Sequence, residues 1–311
     1  MRTPGGCMKR DFLDVTDFTK NEIDGIFDLA RDIKKKLKKG KFDRPLKGKT
    51  LAMIFQKPST RTRISFETGM YQLGGHGIYI SPDEIGLGKR ETAADVARVL
   101  SRYNDAILAR VFGHGILVDL AKHASIPVIN GLSDWSHPCQ ILGDMLTVLE
   151  HRGGFGGLKV AWIGDGNNVA HSWIHMAMRI PMELTLACPN GYDPDRALVA
   201  EAQKTGPGRI RMVRDPVEAV RDADVIYTDV WASMGQEKEA AKRKKAFKGF
   251  CVNEALVKKA RPDVKVMHCL PAHRGEEISE GVLEGPHSIV FDEAENRLHI
   301  QKAILVTLMR G

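Results

Sequence analysis

Apolar positions along the chain follow two alternating rhythms. Short unbroken runs, such as 51–55 and 160–164, read as buried strands, while segments with an apolar residue every three or four positions read as amphipathic helices. Thr19 and Glu22 stand at capping-box spacing, and Ile23, Ile26, Phe27, Ala30 and Ile33 then share one helical face that stops at Gly40. Strands are predicted at 51–55, 77–80, 106–109 and 127–129. Between them lie helices from the Lys57-Pro58-Ser59-Thr60 turn to Leu73, at 93–103 and at 116–122, with a further helix at 140–150. A second set of strands follows at 160–164, 183–187, 210–213, 225–229 and 264–269, again separated by helical segments, and 295–309 reads as a last helix. Strands alternating with helices mean parallel sheets covered on both faces. The fold class is therefore α/β, with two domains, each a parallel sheet flanked by helices.

The run His151-Arg152-Gly153-Gly154-Phe155-Gly156-Gly157 breaks the composition and marks the expected boundary, giving domains 1–150 and 151–295. With 311 residues the chain stands at the upper limit of a single core, which agrees with a division in two. A hydrophobic fraction of 43% and a charged fraction of 27% exclude a disordered or collagen-like chain. No stretch approaches the ~18 apolar residues of a membrane span. The N-terminal segment lacks an apolar signal region, so a cytoplasmic protein is expected. Cys7, Cys139, Cys188, Cys251 and Cys269 are odd in number and widely spaced, a pattern of reduced thiols rather than of disulfides or structural zinc.

The formal charge is +7. Its densest runs, Lys34 to Lys41 and Lys242 to Lys245 with Arg243 inside, lack interleaved aromatics. They are expected to be solvated helix faces rather than a nucleic-acid platform. A mild positive balance suits a small anionic substrate.

In parallel α/β folds ligands sit beyond the carboxyl ends of strands, so the residues just after each strand carry the chemistry. Ser59, Thr60, Arg61, Thr62 and Arg63 open a helix directly after a strand; backbone N–H groups, the helix dipole and the guanidinium forks suit a phosphate. A plain Ser/Thr cap with surface arginines is the simpler alternative. Gly164-Asp165-Gly166-Asn167-Asn168 lacks the third glycine of a dinucleotide fingerprint, since Val169 holds its place; the asparagines either reach a polar substrate or serve the turn itself. His137 and Gln140, three apart at a helix start, can face one ligand. Asp229 and Ser233 follow a strand and offer an acid and a hydroxyl. Cys269 lies beside His268, but adjacent strand residues point to opposite faces, so it is expected to line a ligand rather than act as a nucleophile with that base. No set of residues has metal-ligand spacing, and no cofactor is expected.

Taken together, Ser59-Thr60-Arg61-Thr62-Arg63, His137-Pro138-Cys139-Gln140, Asp229-Val230-Trp231-Ala232-Ser233-Met234-Gly235, His268-Cys269-Leu270-Pro271 and Phe291-Asp292-Glu293-Ala294-Glu295-Asn296-Arg297 resemble the aspartate/ornithine carbamoyltransferase family, in its order and spacing over nearly the whole chain. The Ser-Met-Gly and His-Cys-Leu-Pro segments are those of its ornithine branch. The resemblance implies transfer of a carbamoyl group from carbamoyl phosphate to the δ-amine of L-ornithine, giving L-citrulline and phosphate, as part of arginine metabolism. It implies that Ser59, Thr60, Arg61 and Thr62 bind the phosphate, and that Arg110, His137 and Gln140 hold the carbamoyl carbonyl. Pro138, Cys139, Cys269, Leu270 and Arg297 complete the carbamoyl phosphate site in this comparison. Asn168, Asp229, Ser233 and Met234 match ornithine-binding positions, and Cys269 with Leu270 would line the reacting amine. Family likeness also implies a homotrimer, with a C-terminal helix, 296–311, that returns to the first domain.

One departure stands out. The family's Gln-Leu-Gly, which reaches carbamoyl phosphate from a neighbouring subunit, reads Gly86-Leu87-Gly88 here. Glu84, Lys89 or Arg90 compensates, or the lost neutral hydrogen bond weakens binding by roughly two- to tenfold, ~0.5–1.5 kcal/mol. A diamine carbamoyltransferase, a binding protein without turnover and a nicotinamide dehydrogenase are the alternatives; Asp229, Ser233 and Met234 favour an α-amino acid, intact Arg61, His137, Gln140 and Cys269 favour turnover, and the missing glycine disfavours the dehydrogenase.

Overall fold

A computed structural model describes residues 9–87, 90–232 and 237–310. The chain packs into two compact units, one formed by Met1–Gly143 with Arg297–Gly311 and the other by Asp144–Asn296.

In the first unit α1 (Lys20–Lys38) precedes β1 (Thr50–Phe55), α2 (Thr60–Gln72), β2 (His76–Ile80), α3 (Pro82–Ile85), α4 (Ala93–Tyr103), β3 (Ala106–Arg110), α5 (His114–His123) and β4 (Val128–Leu132). The Thr19/Glu22 capping box forms, and Ile23, Ile26, Phe27 and Ala30 are buried as their spacing requires. The sheet runs β2-β1-β3-β4, wholly parallel. β1 and β3 lie inside it and read as unbroken apolar runs; β2 is an edge strand and stays half exposed. The expected solvated face at the end of α1 holds only in part. Lys34 is buried, whereas Lys36 reaches Asp32 and Asp43, each at 2.7 Å.

α6 (Pro138–Arg152) begins in the first unit and continues into the second. There follow β5 (Lys159–Ile163), α7 (Asn168–Ala177), β6 (Glu183–Ala187), α8 (Arg196–Thr205), β7 (Arg209–Val213), α9 (Pro216–Val220), β8 (Val225–Thr228), α10 (Ala240–Ala246), α11 (Glu254–Val257), β9 (Lys265–His268) and α12 (Glu280–Leu283). This sheet is also parallel, in the order β7-β6-β5-β8-β9. α13 (Val290–Met309) starts five residues earlier than the sequence pattern suggests, and from Arg297 onward it packs within the first unit. There Lys302 Nζ donates to Gln72 Oε1 at 2.7 Å.

Each sheet reverses its winding direction at one place, and a crevice opens at the carboxyl ends of the strands flanking such a reversal. In the first sheet these strands are β1 and β3, ending at Phe55 and Arg110; in the second they are β5 and β8, ending at Ile163 and Thr228. Ser59 to Thr62 and Arg110 lie at the first pair of ends, and Asn168 and Asp229 at the second; His137 and Gln140 follow β4, Cys269 and Leu270 follow β9, and Arg297 lies on α13.

Among the described residues, no helix is long and apolar enough to cross a membrane.

Two candidate substrate sites

The first unit builds a positive site. β1 delivers the chain to Ser59, which occupies the cap position of α2 but makes no side-chain capping bond, and the first turn of the helix carries no acidic residue. A 13-residue helix thus presents its opening N–H groups and its dipole without an internal anion to meet them. Ser59 is half-buried, Thr60 and Arg61 are exposed, and Thr62 is buried. Behind them stands Arg297 of α13, itself buried, whose Nη1 donates to Gln140 Oε1 and whose Nη2 donates to Thr62 Oγ1 at 3.4 Å. With its amide turned to satisfy both ends, Gln301 accepts from Arg297 Nη2 at 2.9 Å and Nε at 3.0 Å. The guanidinium is locked in one plane by groups from three helices.

Arg110 ends β3 at a register shift, where the pairing with β4 skips from Asn130 to Leu132. Bulges of this kind re-aim a side chain at the end of a strand. His137 immediately precedes α6, and its carbonyl accepts from Gln140 N at 3.0 Å. The imidazole is 4% exposed. Burial, and then the charges of Arg297 and Arg110, hold it well below the ordinary histidine range. It is therefore neutral at physiological pH, able to donate one hydrogen bond without adding a charge. Cys139 turns the other way. Its thiol points at the Asn130 carbonyl, 3.4 Å off, and burial pushes it up to about 12, so its side chain belongs to the core.

The sequence pattern does not single out Gln56, yet this residue ties the region together. Its Oε1 accepts from Phe112 N at 2.8 Å and its Nε2 donates to Leu87 O at 3.4 Å, which anchors the loop after Gly86. Gly86 has a left-handed backbone, φ 51°, and a Cβ there would stand 2.8 Å from Arg90 Cβ. A side chain at this position would therefore press on Arg90, which is itself exposed. Lys89 lies outside the described residues.

The second unit builds a negative site. Asp229 follows β8 and is 6% exposed. Its Oδ1 accepts from Cys269 Sγ at 3.1 Å and its Oδ2 from Asn167 Nδ2 at 2.8 Å. Of the two roles open to the asparagines, Asn167 takes the local one, as the cap of α7: its Oδ1 accepts from Val169 N and Ala170 N at 2.9 and 3.1 Å. One side chain thus fixes both the start of α7 and the rotamer of Asp229. Asn168, half-buried, opens the helix beside it. Ser233 and Met234 lie outside the described residues.

His268 and Cys269 do face different partners. His268 Nδ1 accepts from Leu270 N at 2.8 Å while Nε2 faces Glu277 Oε1 at 3.2 Å, and His268 N donates to Glu293 Oε2 at 3.0 Å. Leu270 adopts φ 55° ahead of a cis bond to Pro271. Burial, then the carboxylates of Asp229 and Glu293, raise the Cys269 thiol well above its usual range, so it stays protonated and donates. Burial and the neighbouring Asp144 likewise hold the Glu293 carboxyl well above normal, and Tyr227 OH donates to its Oε1 at 3.0 Å. Asp229, His268 and Cys269 bring three metal-competent atoms within 4.8 Å of one another, as do His273, Glu276 and Glu277. In the first group the donor atoms already have the protein partners just given.

Two expectations in this unit are revised or resolved. Arg243, placed in a solvated basic run, is buried: its Nη1 donates to Asp165 Oδ2 and to the Trp231 carbonyl, both at 2.8 Å. The lysines around it do face water; the arginine turns inward because a buried carboxylate waits there. Gly166 is a packing glycine, since a Cβ would stand 2.1 Å from Pro194 N. The Gly-Asp-Gly turn therefore has a structural reason that needs no dinucleotide.

Sequence comparison matches residues 10–150 to the aspartate/ornithine carbamoyltransferase carbamoyl-P binding domain and residues 156–308 to the Asp/Orn binding domain of the same family. An ornithine carbamoyltransferase of Pelobacter propionicus is 57% identical over 98% of this chain and 100% of its own length. The ornithine carbamoyltransferase of Pyrococcus furiosus, of known structure, is 54% identical, covers 97% of this chain and 98% of its own, and superposes with a TM-score of 0.94. That of Thermus thermophilus is 44% identical over 97% of this chain, with a TM-score of 0.88.

Proposed function

The chain belongs to the aspartate/ornithine carbamoyltransferase family, and from that premise we propose how its two sites divide the reaction. It transfers the carbamoyl group of carbamoyl phosphate to the δ-amine of L-ornithine, forming L-citrulline and phosphate in arginine biosynthesis. The first unit takes carbamoyl phosphate. Ser59, Thr60, Arg61 and Thr62 hold the phosphate on the open start of α2, and Arg297 supports them from behind. Arg110, His137 and Gln140 receive the carbamoyl oxygen, and Pro138 and Cys139 shape that turn through their backbone. As the amine attacks, negative charge grows on this oxygen, and fixed donors there supply the largest catalytic effect. A neutral His137 adds a donor without tightening the ground-state grip on the phosphate dianion.

The second unit takes ornithine. Asp229 binds the α-ammonium together with Asn168, Ser233 and Met234, while Cys269 and Leu270 line the δ-amine. An unperturbed amine of this kind has a pKa near ~10.4 and is almost wholly protonated at neutral pH, so it must shed a proton before it attacks. In the transfer the amine nitrogen bonds to the carbamoyl carbon, the carbon–oxygen bond to phosphate breaks, and the leaving phosphate takes up the proton. The observation that carries this reading is the uncapped helix start at Ser59 backed by the locked Arg297–Gln140–Thr62 cluster.

A homotrimer is part of the same reading, supported by the half-exposed edge strand β2 and by exposed Ile64, Ile78 and Tyr71. Sedimentation equilibrium at the trimer mass is the expected result. A cytoplasmic location is supported by the free thiols among the described residues, Cys139, Cys188, Cys251 and Cys269. The test of the activity is product formation with carbamoyl phosphate and ornithine, putrescine or aspartate offered separately. Turnover with ornithine alone is expected; turnover with putrescine overturns the assignment of Asp229.

A further inference from the structure

A cavity of about 600 Å³ opens in the first unit, away from Ser59, between α1, the segment 41–45, the end of α2 and the last turns of α13. Its floor is apolar, from Leu29, Ile33, Leu37, Leu73 and Val306. Its polar lining is one-sided. The two carboxylates, Asp32 and Asp43, are both committed to Lys36. Lys41, Arg44 and Arg310 have no ion-pair partner among the described residues.

Lys302 sets this cavity apart. It is 2% exposed, and among the described residues its ammonium has one acceptor, the neutral Gln72 Oε1. A buried ammonium ordinarily sits against a carboxylate. Here burial lowers it to about 8, so at neutral pH a positive charge is held there with no counter-charge among the described residues. Such a charge at the wall of a ligand-sized cavity with apolar residues on its floor is a binding feature: an anion that enters gains a charge-assisted hydrogen bond, and its apolar body meets the floor.

We propose that this cavity is a second anion site, which takes a small organic acid, a carboxylate or phosphate monoester with an apolar body, against Lys302 and Gln72 with Arg44 at the rim. The site goes beyond carbamoyl transfer. It touches the far end of α2, whose near end carries Thr62, and α13, which carries Arg297.

The test is fluorine NMR of 4-fluorobenzoate with the full-length protein and with its Arg61→Met variant, which weakens the catalytic anion site and leaves this cavity untouched. Its neutral amide serves as control and benzyl phosphate as competitor. The expected result is saturable binding of the acid and not of the amide, weakened about tenfold or more by Lys302→Met and several-fold by Arg44→Ala. Displacement by benzyl phosphate at lower concentration than by benzoate identifies a phosphate monoester as the better class; the reverse order identifies a carboxylate. Equal binding of acid and amide, no saturable binding, or an affinity unmoved by Lys302→Met overturns the proposal. If Lys302→Met does not fold, as read by its melting curve, Arg44→Ala and Arg310→Ala decide, and unchanged affinity in both overturns it. Citrulline formation, followed in parallel, keeps this outcome separate from that of the catalytic assignment.

Discussion

The two units solve the same architectural problem with opposite charge. Each is a parallel sheet that reverses its winding once, and each places its chemistry at the strand ends beside that reversal. In the first the residues that converge are Arg61, Arg110, Arg297 and a neutral His137, around an unneutralised helix start. In the second they are Asp229 and a protonated Cys269, with the Glu293 carboxyl, held well above its ordinary range by burial and Asp144, behind them. The fold sets where a ligand can bind, and the residues after each strand set the sign they favour; in the function proposed above this is an anion in the first unit and an ammonium in the second.

The contrast can be broken at graded cost. Arg243→Met removes the partner of buried Asp165 and is expected to cost about 3–5 kcal/mol of stability, seen as a lowered melting temperature. Phosphate binding at the first unit is unaffected below that temperature. If the melting temperature does not move, the ion pair is not the anchor described here.

Arg61→Met removes a donor from the anion site alone. It is expected to lower kcat/KM for carbamoyl phosphate about 10²–10³-fold in steady-state assays, with the melting temperature unchanged. Asp229→Asn is expected to raise KM for ornithine about 10–100-fold, the loss of a hydrogen bond to a charged group, and to leave the affinity for phosphate unaltered.

The fourth variant sharpens the second unit. Burial raises the Asp165 carboxyl to about 6 even beside Arg243. Its folded pKa then lies above its unfolded value of 3.8, so the folded chain binds the extra proton in that interval. This group's contribution to stability is fully present below about 4 and is lost as pH rises through about 6. Denaturant melts of the native chain and of Asp165→Asn across this interval are expected to show that slope in the native chain only.

The smallest effect is expected at Gly86→Gln. The left-handed backbone and the nearby Arg90 Cβ penalise any side chain there, by about 1 kcal/mol, so the substitution gains less than tenfold in carbamoyl phosphate affinity. A larger gain in a titration would mean that the loop rearranges.

What the sequence made legible was whatever depends on nearby residues. Period and burial gave the nine strands among the described residues to within a few residues, because inner parallel strands are unbroken apolar runs. The Thr19 capping box and the open start of α2 are local as well. Long-range convergence was not visible in the pattern. Arg297 meets Gln140 across 157 residues, and only family resemblance pointed to it. Arg243 looked like part of a solvated basic run because the carboxylate that draws it inward is 78 residues away. Gln56 is not legible for a different reason: it acts through two hydrogen bonds that fix other residues, and a positioning role leaves no composition signal; at Asn167 the turn role was legible but the bond to Asp229, 62 residues away, was not.

The division of charge between the units is tested most directly by equilibrium titration of inorganic phosphate into the native chain, Arg61→Met and Asp229→Asn. Phosphate affinity is expected to fall about tenfold or more in Arg61→Met and to be unchanged in Asp229→Asn. An equal loss in both variants, with both fully folded, would contradict the assignment of the anion to the first unit alone.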